Sequence, residues 1–420
     1  MRALPILAFA CAIAACTPVR MQRGSTSPTP SAQDTASQQD SFDELIEGAD
    51  RYQGLFDLYA KEDKLYLAVP VSRLGDELLM ESKIARGVGA ASLYGGTMLN
   101  LFEADVITLE RAANHIYLLN QPHRFQAAEG TPSSRAVDLS FSPSVIASAE
   151  IEATKGDSLL LIDIYDWAVS DLSGVGRRVR SAASERPGQP GNATFDRALS
   201  YLESVNAFPG NINLRARLTF KPGQPVSLPA VPDGRYITLS IHTTLAELPA
   251  EPMTPRLADD RMGYFLTVHK SFSRDDSTHF VRYVNRWRLE PGEPAGDGLY
   301  YPKQPIVYYL EPTIPVEYRP YFEEGVEAWN KAFERAGFKD AIRAEPLPDS
   351  AQAEDIRYAT LRWNTSDQAG YGAIGPSTVD PRTGEVLDAD ILFEANMLLG
   401  FRNAWRSFVD PSEALEHGSA

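Results

Sequence analysis

Between Gln304 and Phe393 the hydrophobic pattern switches from a strand period to a helix period and back, which narrows the fold more than any other stretch. The run "QPIVYYLEP" is short, apolar and rich in β-branched and aromatic residues, as a buried strand requires. After it, Phe322, Val326, Trp329, Phe333 and Ala336 recur at alternating four- and three-residue steps. That spacing lays one apolar stripe along a helix, with Trp329 midway and expected inside. Pro320 suits the first turn, where a missing N–H costs nothing, and Gly337 is placed to end the helix with Phe338 folding back. Glu323 and Glu324 lie near the positive end of the helix dipole, and Lys331 and Arg335 near the negative end. "DIRYATLRW" reads as a second strand, and "STVDPRTGEVLDADILF" as a hairpin closed by Pro381 and Gly384. In its return strand Leu387, Ala389, Ile391 and Phe393 face one way, and Asp388 and Asp390 the other. The two carboxylates could hold a hard cation, or they could line a solvated sheet face.

Upstream, short strand-like runs follow one another from Phe42: "GLFDLYA", "KLYLAVP" and "ELLMESK", then a meander through "DVITLERAANHIYLLN". "SLLLIDI" (Ser158–Ile164) is apolar throughout and suits a central strand. Trp167–Asp196 is weakly patterned and reads as a long surface excursion. Further strands follow to Glu290, and "EPGEPAGDG" is a candidate boundary. The chain therefore reads as α+β, a mainly antiparallel β region ahead of a strand–helix–strand–hairpin unit. The expected domains are a small β-rich one at 41–95, a mainly β one at 96–292, and the unit at 300–420. After Phe393, "EANMLLGFRNAW" is either a helix or a linker.

Residues 1–16 stand apart from the fold. Arg2 precedes an apolar run, Ala3–Ala15, too short to span a bilayer, so the segment reads as a signal peptide. Small residues lead to Cys16, as in a bacterial lipobox, which makes Cys16 the expected lipidation site; the alternative is ordinary cleavage near Ala15 with Cys16 a free thiol. Residues 17–40 are Ser-, Thr-, Pro- and Gln-rich and read as a disordered linker. Both cysteines, Cys11 and Cys16, fall in the leader, so the mature domains have neither a disulfide nor a thiolate metal site. A net charge of −16 argues against nucleic acid and anionic membrane surfaces as partners, so the membrane is engaged through the lipid anchor only. The expected location is the periplasmic face of the cell envelope. Thr17 is not Asp, which by resemblance to other Gram-negative lipoproteins favours the outer membrane.

The helix "EEGVEAWNKAFERAGF" and the hairpin "GPSTVDPRTGEVLDADILF", in this order, resemble the upper subdomain of a metzincin-type zinc metallopeptidase. More narrowly, with "VRYVNRWRLE" (Val281–Glu290) and "LFDLYAKEDKLYLAVPVSRLGDELL" (Leu55–Leu79), the chain is similar to bacterial lipoproteins with uncharacterised β-rich domains ahead of such a peptidase. The resemblance implies zinc as cofactor of the complete enzyme and a peptide or protein as substrate. It also implies an edge strand above the cleft, at Gly375, Pro376, Ser377, Thr378 and Val379, that pairs with the substrate backbone; a plain hairpin arm is the alternative.

One departure decides what to expect of this chain. Metzincins carry H-E-x-x-H-x-x-G-x-x-H on a helix beyond this sheet, two His binding zinc one turn apart with the Glu as base. Here His115, His123, His242, His269, His279 and His417 include no pair four apart and no H-E. The 420 residues are thus expected to stop short of the zinc helix, with no catalytic residue, no metal ligand and no cofactor in this chain. His269 and His279 flank a turn and could bind a metal with Asp275 or Asp276, or be two solvated histidines. Two functions follow: the N-terminal part of a zinc metallopeptidase, inactive without the zinc motif, or a non-catalytic envelope lipoprotein that binds a protein or peptide through its β domains.

Overall fold

The computed structural model describes residues 41–100, 105–184, 189–273, 278–367 and 370–408. The leader with Cys16, the 17–40 linker, Asp275, Asp276 and His417 lie outside them.

The first half runs α1 (41–46), β1 (Asp50–Tyr52), β2 (Asp57–Lys61), β3 (Lys64–Pro70), β4 (Leu78–Arg86), β5 (Asp105–Ala112) and β6 (His115–Asn120). Then come β7 (Phe125–Gln126), α2 (Pro132–Ser140), β8 (Ser144–Lys155), β9 (Leu159–Asp163), α3 (Tyr165–Ala168) and α4 (Gly176–Ala182). β10 (Ala193–Phe208), β11 (Asn211–Pro222), β12 (Ile237–Glu247), β13 (Leu266–Ser271) and β14 (Phe280–Val284) complete it.

Eleven of these strands make one antiparallel sheet, ordered β1-β2-β3-β9-β8-β6-β5-β4-β12-β11-β10. The sheet curls until its ends meet, where Leu55 N–H donates to the Phe208 carbonyl at 2.6 Å. Gly54 permits this closure: a Cβ there would lie 2.4 Å from the Phe208 nitrogen. Inside, Leu58, Leu65, Leu67, Ile107, Leu118, Ile162, Ile212 and others form a single core. β3 is buried on both faces, because Tyr66 and Ala68 are covered by Phe42 of α1. The same covering explains "SLLLIDI", whose Leu161 packs outward while Leu160 and Ile162 pack inward. Strands from both sides of residue 95 interleave in this sheet, so the expected boundary there does not coincide with a break in packing.

The weakly patterned stretch after Trp167 is not a surface excursion. Trp167, Val169, Val175 and Val179 are buried, and α4 caps a second core with Leu218, Phe220 and Leu239. Small residues and Arg hide this packing from a periodicity argument, since only one face of a two-turn helix is used.

The second half runs β15 (Pro291–Gly296), β16 (Leu299–Pro302), β17 (Ile306–Leu310), α5 (Arg319–Glu327), α6 (Asn330–Arg335) and β18 (Ile342–Pro346). β19 (Thr360–Asn364), β20 (Ala373–Ile374), β21 (Ser377–Asp380), β22 (Glu385–Ala389), β23 (Ile391–Glu394) and α7 (Ala395–Phe408) follow. The candidate boundary "EPGEPAGDG" is itself a hairpin arm, β15 on β16. A five-stranded sheet is ordered β18-β17-β19-β23-β20, with parallel pairs except for antiparallel β20 at the edge. The architecture is α+β, as the sequence pattern indicates.

Three expectations for this unit need correction. β18 went unread, because "IRAEP" is short and carries two charges. The helix breaks at Ala328–Trp329 into α5 and α6, and Trp329 is 64 % exposed rather than inside. Ala336 is exposed too, while Phe322, Val326 and Phe333 are half-buried. The stripe does face the sheet, but it borders a groove instead of filling a core. The hairpin's return strand divides at Asp390 between two sheets, β22 pairing β21 and β23 pairing β19.

Candidate functional site

Two features stand out where the large sheet meets the C-terminal unit, and both are built from strand alternation. On β22 and β23 Ala389, Ile391 and Phe393 face away from Asp388 and Asp390 as expected, but a bulge at Leu387 turns that side chain the other way, onto Leu79 of β4, and Asp388 and Asp390 are wholly buried, not solvated. They turn toward β4 of the large sheet, whose Glu81 and Lys83 are buried as well. Lys83 Nζ donates to Asp388 Oδ2 at 2.6 Å and lies 2.9 Å from Asp390 Oδ2 and 3.3 Å from Glu81 Oε2. The cation between the two aspartates is therefore a lysine ammonium. Thr360 donates to Asp390 Oδ1 from its hydroxyl at 2.6 Å and its N–H at 3.1 Å, and the Thr378 hydroxyl donates to Glu81.

The network continues along the seam. Arg362 and Arg215 both reach Glu354, at 3.1 and 3.2 Å, and Asn211 and Asn213 donate to Asp355. Burial would push the Glu354 carboxyl up, but the two guanidiniums hold it below its ordinary value. His242 is buried beside this group, and burial lowers it to about 4, so it is neutral. Burial, helped by the nearby aspartates, pushes the Tyr308 phenol up to about 12. Above the seam, Asn364 Nδ2 donates to the Gly95 carbonyl at 2.8 Å and Asp367 N–H to the Gly89 carbonyl at 3.0 Å. Gly96 has no room for a side chain, since a Cβ would sit 2.5 Å from Leu392.

The second feature is the opposite face of the same sheet. Trp287, Tyr308, Phe322, Trp329, Trp363 and Phe393 line much of an apolar groove of about 920 Å³ between the sheet, the broken helix and α7. α7 adopts the helical alternative left open by the sequence, and Leu399, Phe401 and Trp405 on it are exposed.

The expected edge stretch is divided. Ala373 and Ile374 of β20 hold the open edge; Gly375 and Pro376 connect; Ser377, Thr378 and Val379 belong to β21, with Thr378 and Val379 buried. Glu394 N–H donates to the Gly372 carbonyl at 2.9 Å. By the alternation of an antiparallel ladder, the Ala373 N–H and C=O then point away from β23 to the open side.

The histidine pair does not come together as a metal site. His269 lies opposite Val281 on β14, buried, with its ring 6.4 Å from that of His123 and its Nδ1 hydrogen-bonded to Gln126. His279 is exposed and stacks on Phe272, so the reading of two solvated histidines fails for His269. Among the described residues no group of three or more His, Cys, Asp or Glu could hold a metal ion. Among them too, no helix is long and apolar enough to cross a membrane.

Sequence reasoning missed Glu81, Lys83, Thr360 and Arg362. The available signal was "LLMESKI", where two charges interrupt an otherwise apolar run destined for the middle of a sheet.

A family described as Domain of unknown function (DUF5118) matches residues 39–87, and one described as Domain of unknown function (DUF5117) matches residues 100–292. Both matches end ahead of the five-stranded sheet. No curated protein and no solved structure matches the chain.

Proposed function

We propose that this chain is the upper, substrate-binding part of a metzincin-type zinc metallopeptidase of the cell envelope, and that it cleaves no peptide by itself. The observation that carries the reading is β20, a single antiparallel strand at the open edge of an otherwise parallel sheet. It follows the helix and precedes β23 and α7, the order implied by the resemblance. An extended peptide would add to this edge through the outward Ala373 N–H and C=O, with affinity from main-chain bonds and, for the larger part, from side-chain contacts, which also give selectivity. No bond-breaking step is assigned to the residues present. By the resemblance, the zinc ligands and the general base would be supplied by an H-E-x-x-H helix. Anchorage through a lipidated Cys16 belongs to the same reading.

A peptide-array experiment tests the edge. Peptides retained by the chain should lose binding when N-methylated at alternate positions, and an array insensitive to N-methylation overturns strand addition. A product extended past Ala420 to include an H-E-x-x-H helix should take up zinc and cleave the retained peptides; retention without cleavage favours a binding lipoprotein. Fatty-acid labelling should mark the wild type and not Cys16→Ser.

A further inference from the structure

Lys83, Glu81, Asp388 and Asp390 form a group of one amine and three carboxylates, each 2 % exposed or less, bordered by Arg362, which it shares with Glu354 and Arg215. Three cations thus face four carboxylates, and the charge left over in such a place is held by a shared proton or removed by chemistry. The members are not equivalent. Asp390 Oδ1 takes two donors from Thr360, and its Oδ2 has only the Lys83 contact at 2.9 Å. Glu81 takes the Thr378 hydroxyl. Asp388 has only Lys83, and its Oδ1 has no hydrogen-bond partner though it is buried. Asp388 is thus the carboxylate best placed to be neutral, and it is in contact with the amine.

We propose that Lys83 and Asp388 condense to a side-chain amide, covalently joining β4 of the large sheet to β22 of the C-terminal unit, with Glu81 as the proton-transfer group. In the first step an ammonium proton passes along the 2.6 Å contact to Asp388 Oδ2, leaving an amine and a carboxylic acid. The Nζ lone pair then attacks Cγ and the Nζ–Cγ bond forms. The second Nζ proton goes to Glu81, which lies 3.3 Å away, and from Glu81 to the departing hydroxyl. The Cγ–O bond breaks and one water leaves, so two buried charges become a neutral amide without oxidant, reductant or cofactor. Burial works against charge on both partners, and the Asp388 carboxyl is pushed well above its ordinary range, which favours its acid form. Burial also opposes charge on Lys83, but Asp388 and its neighbours outweigh it and hold the amine above its ordinary value. Proton loss from Lys83 is therefore the slow event, and a buried base beside it is what that step needs.

Peptide mapping of the purified full chain tests this. Trypsin does not cut after an acylated lysine, so the digest should give a branched peptide carrying Lys83 and Asp388, lighter by one water than its two parts. Separate peptides with unmodified Lys83 in the wild type overturn the proposal, whatever any variant does. A junction that fragmentation places at Asp390 overturns the assignment to Asp388. Lys83→Arg, which keeps the cation, should show no branched peptide; a missing water in that variant would mean a different reaction. Glu81→Gln should lose most of the linked form while circular dichroism stays unchanged. Full linkage in Glu81→Gln removes Glu81 from the chemistry.

Discussion

In the large sheet the side chains with no exposure are mostly Leu58, Leu65, Leu67, Ile107 and their like, with Lys83 at the seam a charged exception, whereas in the C-terminal unit they include Asp380, Asp388, Asp390 and Glu394. Conversely the large sheet closes its apolar face on itself, while the C-terminal unit leaves Trp329 and Tyr321 open at a groove. The two regions therefore depend on different forces. One is held by area removed from water, at about 25 cal/mol per Å² of apolar surface. The other is fixed to its neighbour by charges and hydrogen bonds whose value lies in mutual satisfaction, because each group left alone is costly.

Substitutions at the seam should show the largest effect. Lys83→Met removes both the cation and any cross-link and leaves three carboxylates unpaired, and a loss of at least about 3–5 kcal/mol is expected in denaturant unfolding. A melt within error of the wild type would mean that the seam contributes little. Next, Leu67→Ala in the large sheet should cost about 2–5 kcal/mol, with the seam intact by proteolysis of the native state.

The acid response separates the two regions further. His242 is neutral in the fold at about 4 against an ordinary 6.5, so below pH 6.5 the unfolded chain takes up a proton that the fold refuses. Its contribution is complete above pH 6.5 and is lost as pH falls from there to about 4. Over that window the loss is about 3 kcal/mol by the free energy per pKa unit. His242→Gln should flatten melting temperature against pH in this window, and an unchanged slope would clear His242. Smallest is Trp329→Ala. An exposed side chain at a groove should matter by about 0.5 kcal/mol or less to stability, and a drop of several kcal/mol would show that the groove is closed in solution.

Much of this was legible from residue pattern. The strands of the large sheet, the Pro320 helix start, the Gly337 stop and the Gly384 turn follow from local rules, and Gly337 and Gly384 both adopt positive φ. The opposition of Asp388 and Asp390 to Ala389, Ile391 and Phe393 was legible as well, but the bulge that turns Leu387 to the other face was not. What alternation cannot say is which face meets a neighbour, and a partner 305 residues away decides that for Asp388. The helix stripe was read as core for the same reason: spacing reports a shared direction, and only packing reports depth. Of the candidate edge, the open strand was displaced by a turn that starts at Gly375, a detail set by where β21 must leave to reach the seam.

The two-residue length of β20 has a consequence for the protein in concentrated solution. A long bare edge beside an apolar groove would invite copies to stack strand on strand and begin a fibril. Here the exposed ladder offers one outward N–H before Gly375 and Pro376 interrupt it, and Pro376 has no N–H to give. Main-chain pairing along this edge is confined to a single rung, so another copy of the chain gains little by stacking there, and a bound peptide must draw most of its affinity from side-chain contacts.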